Sequence, residues 1–211
     1  MNNLLGNVRF YIISFSLFLA LALYLIVKSV VPVDLQMSRL VQVYAFAATI
    51  YLYLTLLISP LIHSFRSIPH VGTLIKSRRG LGVSAYIFAF LHMYIVIFIN
   101  IGGFSKFLAL PAQVQFPMRF GSIAFFILTL LAATSFDSIM RKMTFPTWKW
   151  LHRSVYLASM LIITHALLLG EHFSDLSALI PRIFTIALAV LIILEIPRLI
   201  AYFRQKFVKI D

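Results

Sequence analysis

The sequence predicts an all-α integral membrane protein, a six-transmembrane-helix bundle with both termini cytoplasmic. Three observations carry that reading. Hydrophobic residues make up 62% of the 211-residue chain and charged residues only 11%, with a mean hydropathy of +0.99; soluble domains carry about 25% charged residues. Apolar runs of roughly 18 residues or more, long enough to cross a bilayer, recur along the chain. The basic residues fall mainly in alternate connections between those runs, as in proteins oriented by the positive-inside rule.

The first span covers about 10–27. Arg9 alone precedes it and no convincing small-residue cleavage site follows, so it reads as a retained helix rather than a signal peptide. A short connection with Pro32, Asp34 and Arg39 leads to the second span, about 40–62. His63 to Gly80 reads as a polar, basic connection with Arg66, Lys76, Arg78 and Arg79, and the third span follows at about 81–101. Gly102-Gly103 and Pro111 to Pro117 read as a loop along the membrane interface before the fourth span, about 119–136. Asp137, Arg141, Lys142, Pro146 and Lys149 mark the next connection, and the fifth span is about 151–170. Glu171 and Asp175 form an acidic loop, the sixth span is about 180–196, and the tail carries Arg198, Arg204, Lys206 and Lys209. Thirteen Lys and Arg residues then lie on one side and five on the other, which puts both termini in the cytoplasm. Residues 1–211 form a single transmembrane domain, so any nucleotide, flavoprotein or substrate domain is expected on another chain.

The net charge of +12 would suggest nucleic acid in a soluble protein. Here the basic residues lie between apolar runs, so orientation and anionic lipid explain them and no nucleic-acid partner is expected. The chain has no cysteine, which excludes disulfides, thiolate-held iron–sulfur clusters and covalently attached c-type haem.

Ionisable side chains inside membrane helices are costly and mark functional sites. His92 lies about eleven residues into the third span and His165 about fourteen into the fifth, so at about 1.5 Å per residue both sit roughly 16–21 Å deep. Gly82, Ala85 and Ala89 share the helical face of His92, and Ser154, Ala158 and Leu161 share that of His165. Small residues there leave room for a flat macrocycle, so the pair is expected to clamp a non-covalent b-type haem. The plainer alternative is close helix packing, with each histidine hydrogen-bonded to a neighbour.

His152, at the cytoplasmic edge, is a further candidate iron ligand. In a straight helix it lies roughly 20 Å below His165 and about 140° round from it, and no histidine stands at the matching distance from His92. It fits pairing with His63 or His70, binding a haem alone, or touching a flavin or a haem propionate. His63, His70 and His172 otherwise read as solvated loop histidines. Arg78 and Arg79 set topology, or contact haem propionates or a phosphate-bearing flavin (FMN or FAD). Trp148 and Trp150 are interface aromatics unless they line that same site.

Leu56-Leu57-Ile58-Ser59-Pro60-Leu61, Arg78-Arg79-Gly80-Leu81-Gly82, Leu91-His92 and Trp148-x-x-Leu151-His152-x-x-Val155-Tyr156, followed by His165, resemble the ferric-reductase-like transmembrane domain. Within that superfamily they are most similar to MsrQ, the haem-binding membrane subunits of periplasmic methionine sulfoxide reductase systems. The resemblance covers about residues 50–170; a departure is Tyr44-Ala45-Phe46, where such proteins often carry Thr-Gly. It implies b-type haem, one or two, on the third and fifth helices of a bacterial inner-membrane protein. It also implies electrons passing from a cytoplasmic flavin donor to the periplasm, with His92, His152 and His165 as candidate ligands and Arg78 and Arg79 as candidate cofactor contacts.

The expected function is therefore transmembrane electron transfer, from a cytoplasmic flavin reductase or a quinol to a periplasmic oxidoreductase such as a methionine sulfoxide reductase. The rivals are a free-standing reductase of ferric chelates or oxygen, a transporter using His92 and His165 for protons or metal, and a cofactor-free structural subunit. No paired carboxylates, nucleophile constellation or phosphate loop argues for hydrolysis or group transfer.

Overall fold

The structure is a computed structural model that describes residues 4–65, 67–169 and 178–207, with residues 4–7 and 202–207 as backbone only. Arg66, Glu171, His172, Asp175 and Lys209, and the side chains of Arg204 and Lys206, lie outside that description. All regular structure among the described residues is helical: α1 Leu4–Val30, a 3-10 turn Val33–Leu35, α2 Gln36–Ser64, α3 Val71–Tyr94 continuing as a π-helical segment Ile95–Asn100, α4 Phe104–Leu108, α5 Ala112–Ala133, α6 Asp137–Met140, α7 Phe145–Arg153, α8 Val155–Leu169 and α9 Leu179–Phe207. Six stretches are long and apolar enough to span a bilayer, with α7 and α8 together supplying the fifth. The chain is a multi-pass membrane protein.

Helix α3 occupies the middle, packed against α1, α2 and α5; α8 lies on α5 and α9 on α2. Phe88 of α3 is fully buried. Its ring stacks on Tyr51 at 5.5 Å and meets Tyr44 at 6.0 Å. Polar groups inside an apolar bundle need internal partners. Tyr44 donates to the Ala20 carbonyl at 3.1 Å, and Ser84 donates to the Ser16 hydroxyl at 3.0 Å. Gly80 lets α1 approach α3 closely: a Cβ there would stand 3.2 Å from the Ile12 Cβ and 3.3 Å from the Arg9 Cα. Large apolar side chains such as Phe18, Phe126 and Ile193 point outward, where lipid rather than water receives them.

The helices extend beyond the apolar runs that predict them. Most of the stretch expected as a basic connection, His63 to Gly80, is helical: α3 begins at Val71, so Lys76, Arg78 and Arg79 stand on a helix. Lys and Arg are good helix formers, and a helix leaving the bilayer keeps its backbone bonds. The loop expected through Pro117 likewise ends early, with Pro117 inside α5. The fifth span breaks at Ser154, whose N–H and hydroxyl both turn back to the Leu151 carbonyl, at 3.0 and 2.7 Å. His152 and His165 therefore stand on two successive helical segments rather than on one unbroken helix.

Candidate functional site

Two cavities lined by the described residues hold the candidate site residues. The inner one, of about 400 Å³, is lined mainly by apolar side chains of α2, α3, α5 and α8, with His92 and His165 among them. The two rings face each other with centroids 6.5 Å apart and planes at 85°. Each ring is held by a backbone carbonyl of a neighbouring helix: His92 Nδ1 lies 3.0 Å from the Val41 oxygen and His165 Nδ1 3.0 Å from the Pro117 oxygen. A carbonyl only accepts, so Nδ1 is the donor and the neutral ring keeps its Nε2 lone pair for a ligand. Metal-binding histidines are commonly oriented in this way.

This arrangement fits a b-type haem. Two imidazoles bound to opposite faces of one metal through nitrogen at about 2 Å place their ring centres roughly 6–7 Å apart, which matches the observed 6.5 Å. Among the described residues no group of three His, Asp or Glu side chains converges, so within that set the two rings stand as a pair. The cavity lies in the volume range of cofactor sites.

The space comes only partly from the residues expected to provide it. Ala89 lines the inner cavity. Ala85 and Ala158, by contrast, are buried in the core and serve helix packing, while Gly82 lines the second cavity. Ser154 caps the break between α7 and α8. Room beside the imidazoles is supplied instead by Ala45 and Ala48 of α2 and by Gly121 and Ala124 of α5. Tyr44-Ala45-Phe46 thus puts its alanine at the cavity wall.

The second cavity is a vestibule of about 1130 Å³ at the end of the bundle where Arg78, Arg79 and His152 meet. Leu52 and Leu128 line both cavities and so stand between them. The two consecutive arginines are held differently. Arg79 donates to Asp137 at 2.9 Å and to the Met140 sulfur, and its guanidinium lies 5.7 Å from the centre of the Trp148 ring. Asp137 also receives Arg9 at 3.1 Å. The hydrogen bond from Arg9, aided by Arg79, holds the Asp137 carboxyl below its ordinary value of 3.8. Arg78 donates Nε to the Thr55 carbonyl at 3.3 Å and makes no ion pair among the described residues.

His152 stacks on Trp148 with centroids 4.1 Å apart, and its Nε2 lies 3.1 Å from the Thr134 hydroxyl. Trp148 donates to the carbonyl of the same threonine at 3.1 Å. His63 lines this vestibule, whereas His70 is an exposed residue of positive φ at the start of α3. Trp148 lines the vestibule and Trp150 does not; it is exposed. At the rim, Arg198 donates to Glu195 at 2.9 Å and to the Tyr156 hydroxyl at 3.0 Å. Glu195 thus pairs with Arg198 on its own helix and, through the Tyr156 hydroxyl, helps tie α9 to α8.

The fold and its paired intramembrane histidines define a class. The chain belongs to the ferric reductase like transmembrane component family, which matches residues 44–163. That match includes His92 and His152 and stops two residues before His165. Among individual proteins, the chain is similar to the protein-methionine-sulfoxide reductase heme-binding subunit MsrQ of Azospira oryzae, at 29% identity over 67% of this chain and 58% of that one. Proteins of the same description in Ralstonia nicotianae and Herminiimonas arsenicoxydans are each 31% identical, over 53% and 69% of this chain. The chain spans 49% and 64% of those two, so less than two thirds of each relative's length is matched.

Proposed function

We propose that the protein is a transmembrane electron-transfer subunit of the bacterial inner membrane, holding b-type haem between His92 and His165. The observation that carries this reading is the pair of facing imidazoles, each tied at Nδ1 to a neighbouring helix and each free at Nε2. When bound, haem supplies one-electron chemistry at iron, while the chain supplies ligands, an apolar setting and orientation. His92 and His165 together would hold the iron through two imidazoles, a ligand set that would suit electron relay rather than oxygen reduction.

The termini and the basic vestibule face the cytoplasm in this reading, by the excess of Lys and Arg on that side. There the vestibule receives electrons from a flavin reductase or a quinol. Arg78 and Arg79 attract a flavin phosphate (FMN or FAD) or a haem propionate, and His152 is the candidate ligand of a second haem. The periplasmic acceptor is an oxidoreductase of the methionine sulfoxide reductase type, in keeping with the names of the similar proteins.

The test is a dithionite-reduced minus oxidised spectrum of detergent-purified protein made with ample haem supply, alongside His92→Ala and His165→Ala. A low-spin b-type spectrum lost in both variants supports the reading. A spectrum that persists in both moves the ligands elsewhere. Absence of haem from the wild type removes the cytochrome reading and favours a histidine-based transporter.

A further inference from the structure

We infer that Gly121 is a positioning residue that sets the ring plane of His165. It is the one place in α5 where the absence of a side chain gives the imidazole its seat. The inference rests on the reading of His165 as a haem ligand but is carried by a separate observation. A Cβ built on Gly121 would lie 2.9 Å from His165 Nδ1, 2.9 Å from Cε1 and 3.2 Å from Cγ. All three atoms belong to one rigid ring, so no flexible side-chain end can swing aside. The ring as a whole must move.

Pro117 stands one helical turn before Gly121 and presents its carbonyl to His165 Nδ1 at 3.0 Å. Residues four apart share a helix face, so α5 offers the histidine a hydrogen-bond acceptor and a bare backbone surface side by side. The acceptor fixes which ring nitrogen carries the proton, and the bare surface fixes how closely the ring approaches. The two conditions together aim Nε2 into the inner cavity. The glycine carries a cost, since glycine inside a helix is disfavoured relative to alanine by about 1 kcal/mol. The backbone at Gly121 is ordinary helix, with no positive φ to require glycine. What glycine supplies here is space, for the cavity it lines and, most tightly, for the His165 ring.

Gly121→Ala is therefore expected to push the ring away from α5 and to break its bond with the Pro117 carbonyl. Loss of an orienting partner at a metal ligand weakens metal binding roughly 10–100-fold, and haem affinity is expected to fall by a factor in that range. The low-spin electron paramagnetic resonance (EPR) signal of the retained haem should also change shape, a readout that simple destabilisation of the helix would not give. Gly72→Ala is the control, because a Cβ there meets nothing within 4 Å. It should leave haem affinity and the EPR signal unchanged.

The experiment titrates haem into detergent-purified apoprotein and follows thermal unfolding of the same haem-free samples. The set comprises wild type, Gly121→Ala, Gly72→Ala, His165→Ala and the Gly121→Ala/His165→Ala pair. Gly121→Ala should lower the Tm of the haem-free protein when His165 is present and should not lower it in the His165→Ala background. Wild-type haem affinity and EPR signal in Gly121→Ala, or equal Tm losses in both backgrounds, would overturn the inference. Failure of the wild type and of Gly72→Ala to bind haem would instead defeat the haem reading; the Tm comparison would still decide whether Gly121 seats the ring.

Discussion

The inner cavity and the vestibule both contain histidine, yet they present it in opposite states. In the inner cavity, His92 and His165 spend Nδ1 on backbone carbonyls and keep Nε2 open within a wall of small and apolar side chains. In the vestibule, His152 has its Nε2 against the Thr134 hydroxyl and its ring against Trp148, among several basic side chains. The lesson concerns which nitrogen is free. A histidine is ready to bind a metal when its neighbours occupy the other nitrogen: His92 and His165 are held at Nδ1 and offer Nε2 to the inner cavity, whereas His152 is held at Nε2 by Thr134 and would have to bind through Nδ1. The inner site reads as a fixed clamp and the outer one as a charged receiving chamber.

The largest expected effect would break this comparison outright. His92→Ala and His165→Ala should each abolish haem binding in the inner cavity, whereas His152→Ala should leave the inner haem's reduced-minus-oxidised spectrum in place. If His152→Ala removed all haem and His165→Ala removed none, the two regions would have to exchange roles.

A smaller effect separates the arginines. Arg79 is committed to Asp137 and Trp148, while Arg78 donates to the Thr55 carbonyl and has no carboxylate partner within ion-pair distance among the described residues. Arg78→Ala should therefore weaken reduction by a flavin donor, raising the donor concentration for half-maximal rate and reducing its salt dependence. Arg79→Ala should act mainly through stability and be non-additive with Asp137→Asn in a thermal double-mutant cycle. Equal kinetic effects of the two arginines would erase the distinction.

The smallest effect concerns pH at the vestibule rim. Asp137 binds protons less readily in the folded protein than in the unfolded chain, so its contribution is present above its ordinary value of 3.8 and is lost as pH falls through the lower folded value. Both ion pairs of Asp137 are partly exposed to solvent, and such pairs contribute up to about 1 kcal/mol each. Asp137→Asn should therefore lower Tm by a few degrees at neutral pH. The difference from wild type should disappear under strongly acidic conditions. A constant difference across pH would show that the carboxylate's charge is not what matters.

Much of this architecture could be read from the chain. The apolar runs predict six spans because crossing a bilayer is a requirement of length and composition, both of which are local. His92 and His165 stand out because ionisable groups deep in an apolar run are expensive to retain. What the sequence concealed depends on facing. Ala45 and Gly121 line the histidine cavity from α2 and α5, helices that carry no ligand, and nothing local distinguishes them from other small residues. Ala158 shows the converse, since it shares a helix face with His165 yet is consumed by packing. The helical course of Arg78 and Arg79 was hidden because charge marks the end of the apolar stretch rather than the end of the helix. The break at Ser154 is a local serine-to-carbonyl competition that hydropathy does not register.

The central claim is that one haem is clamped between His92 and His165. The most direct measurement is low-temperature EPR of the oxidised, haem-loaded protein. Imidazole planes held at 85° would leave two d orbitals of a bound iron nearly degenerate, so the account predicts a strongly anisotropic low-spin signal that is lost in both His92→Ala and His165→Ala. A wild type that lacks this strongly anisotropic low-spin signal, or one in which the same signal survives both substitutions, would contradict it.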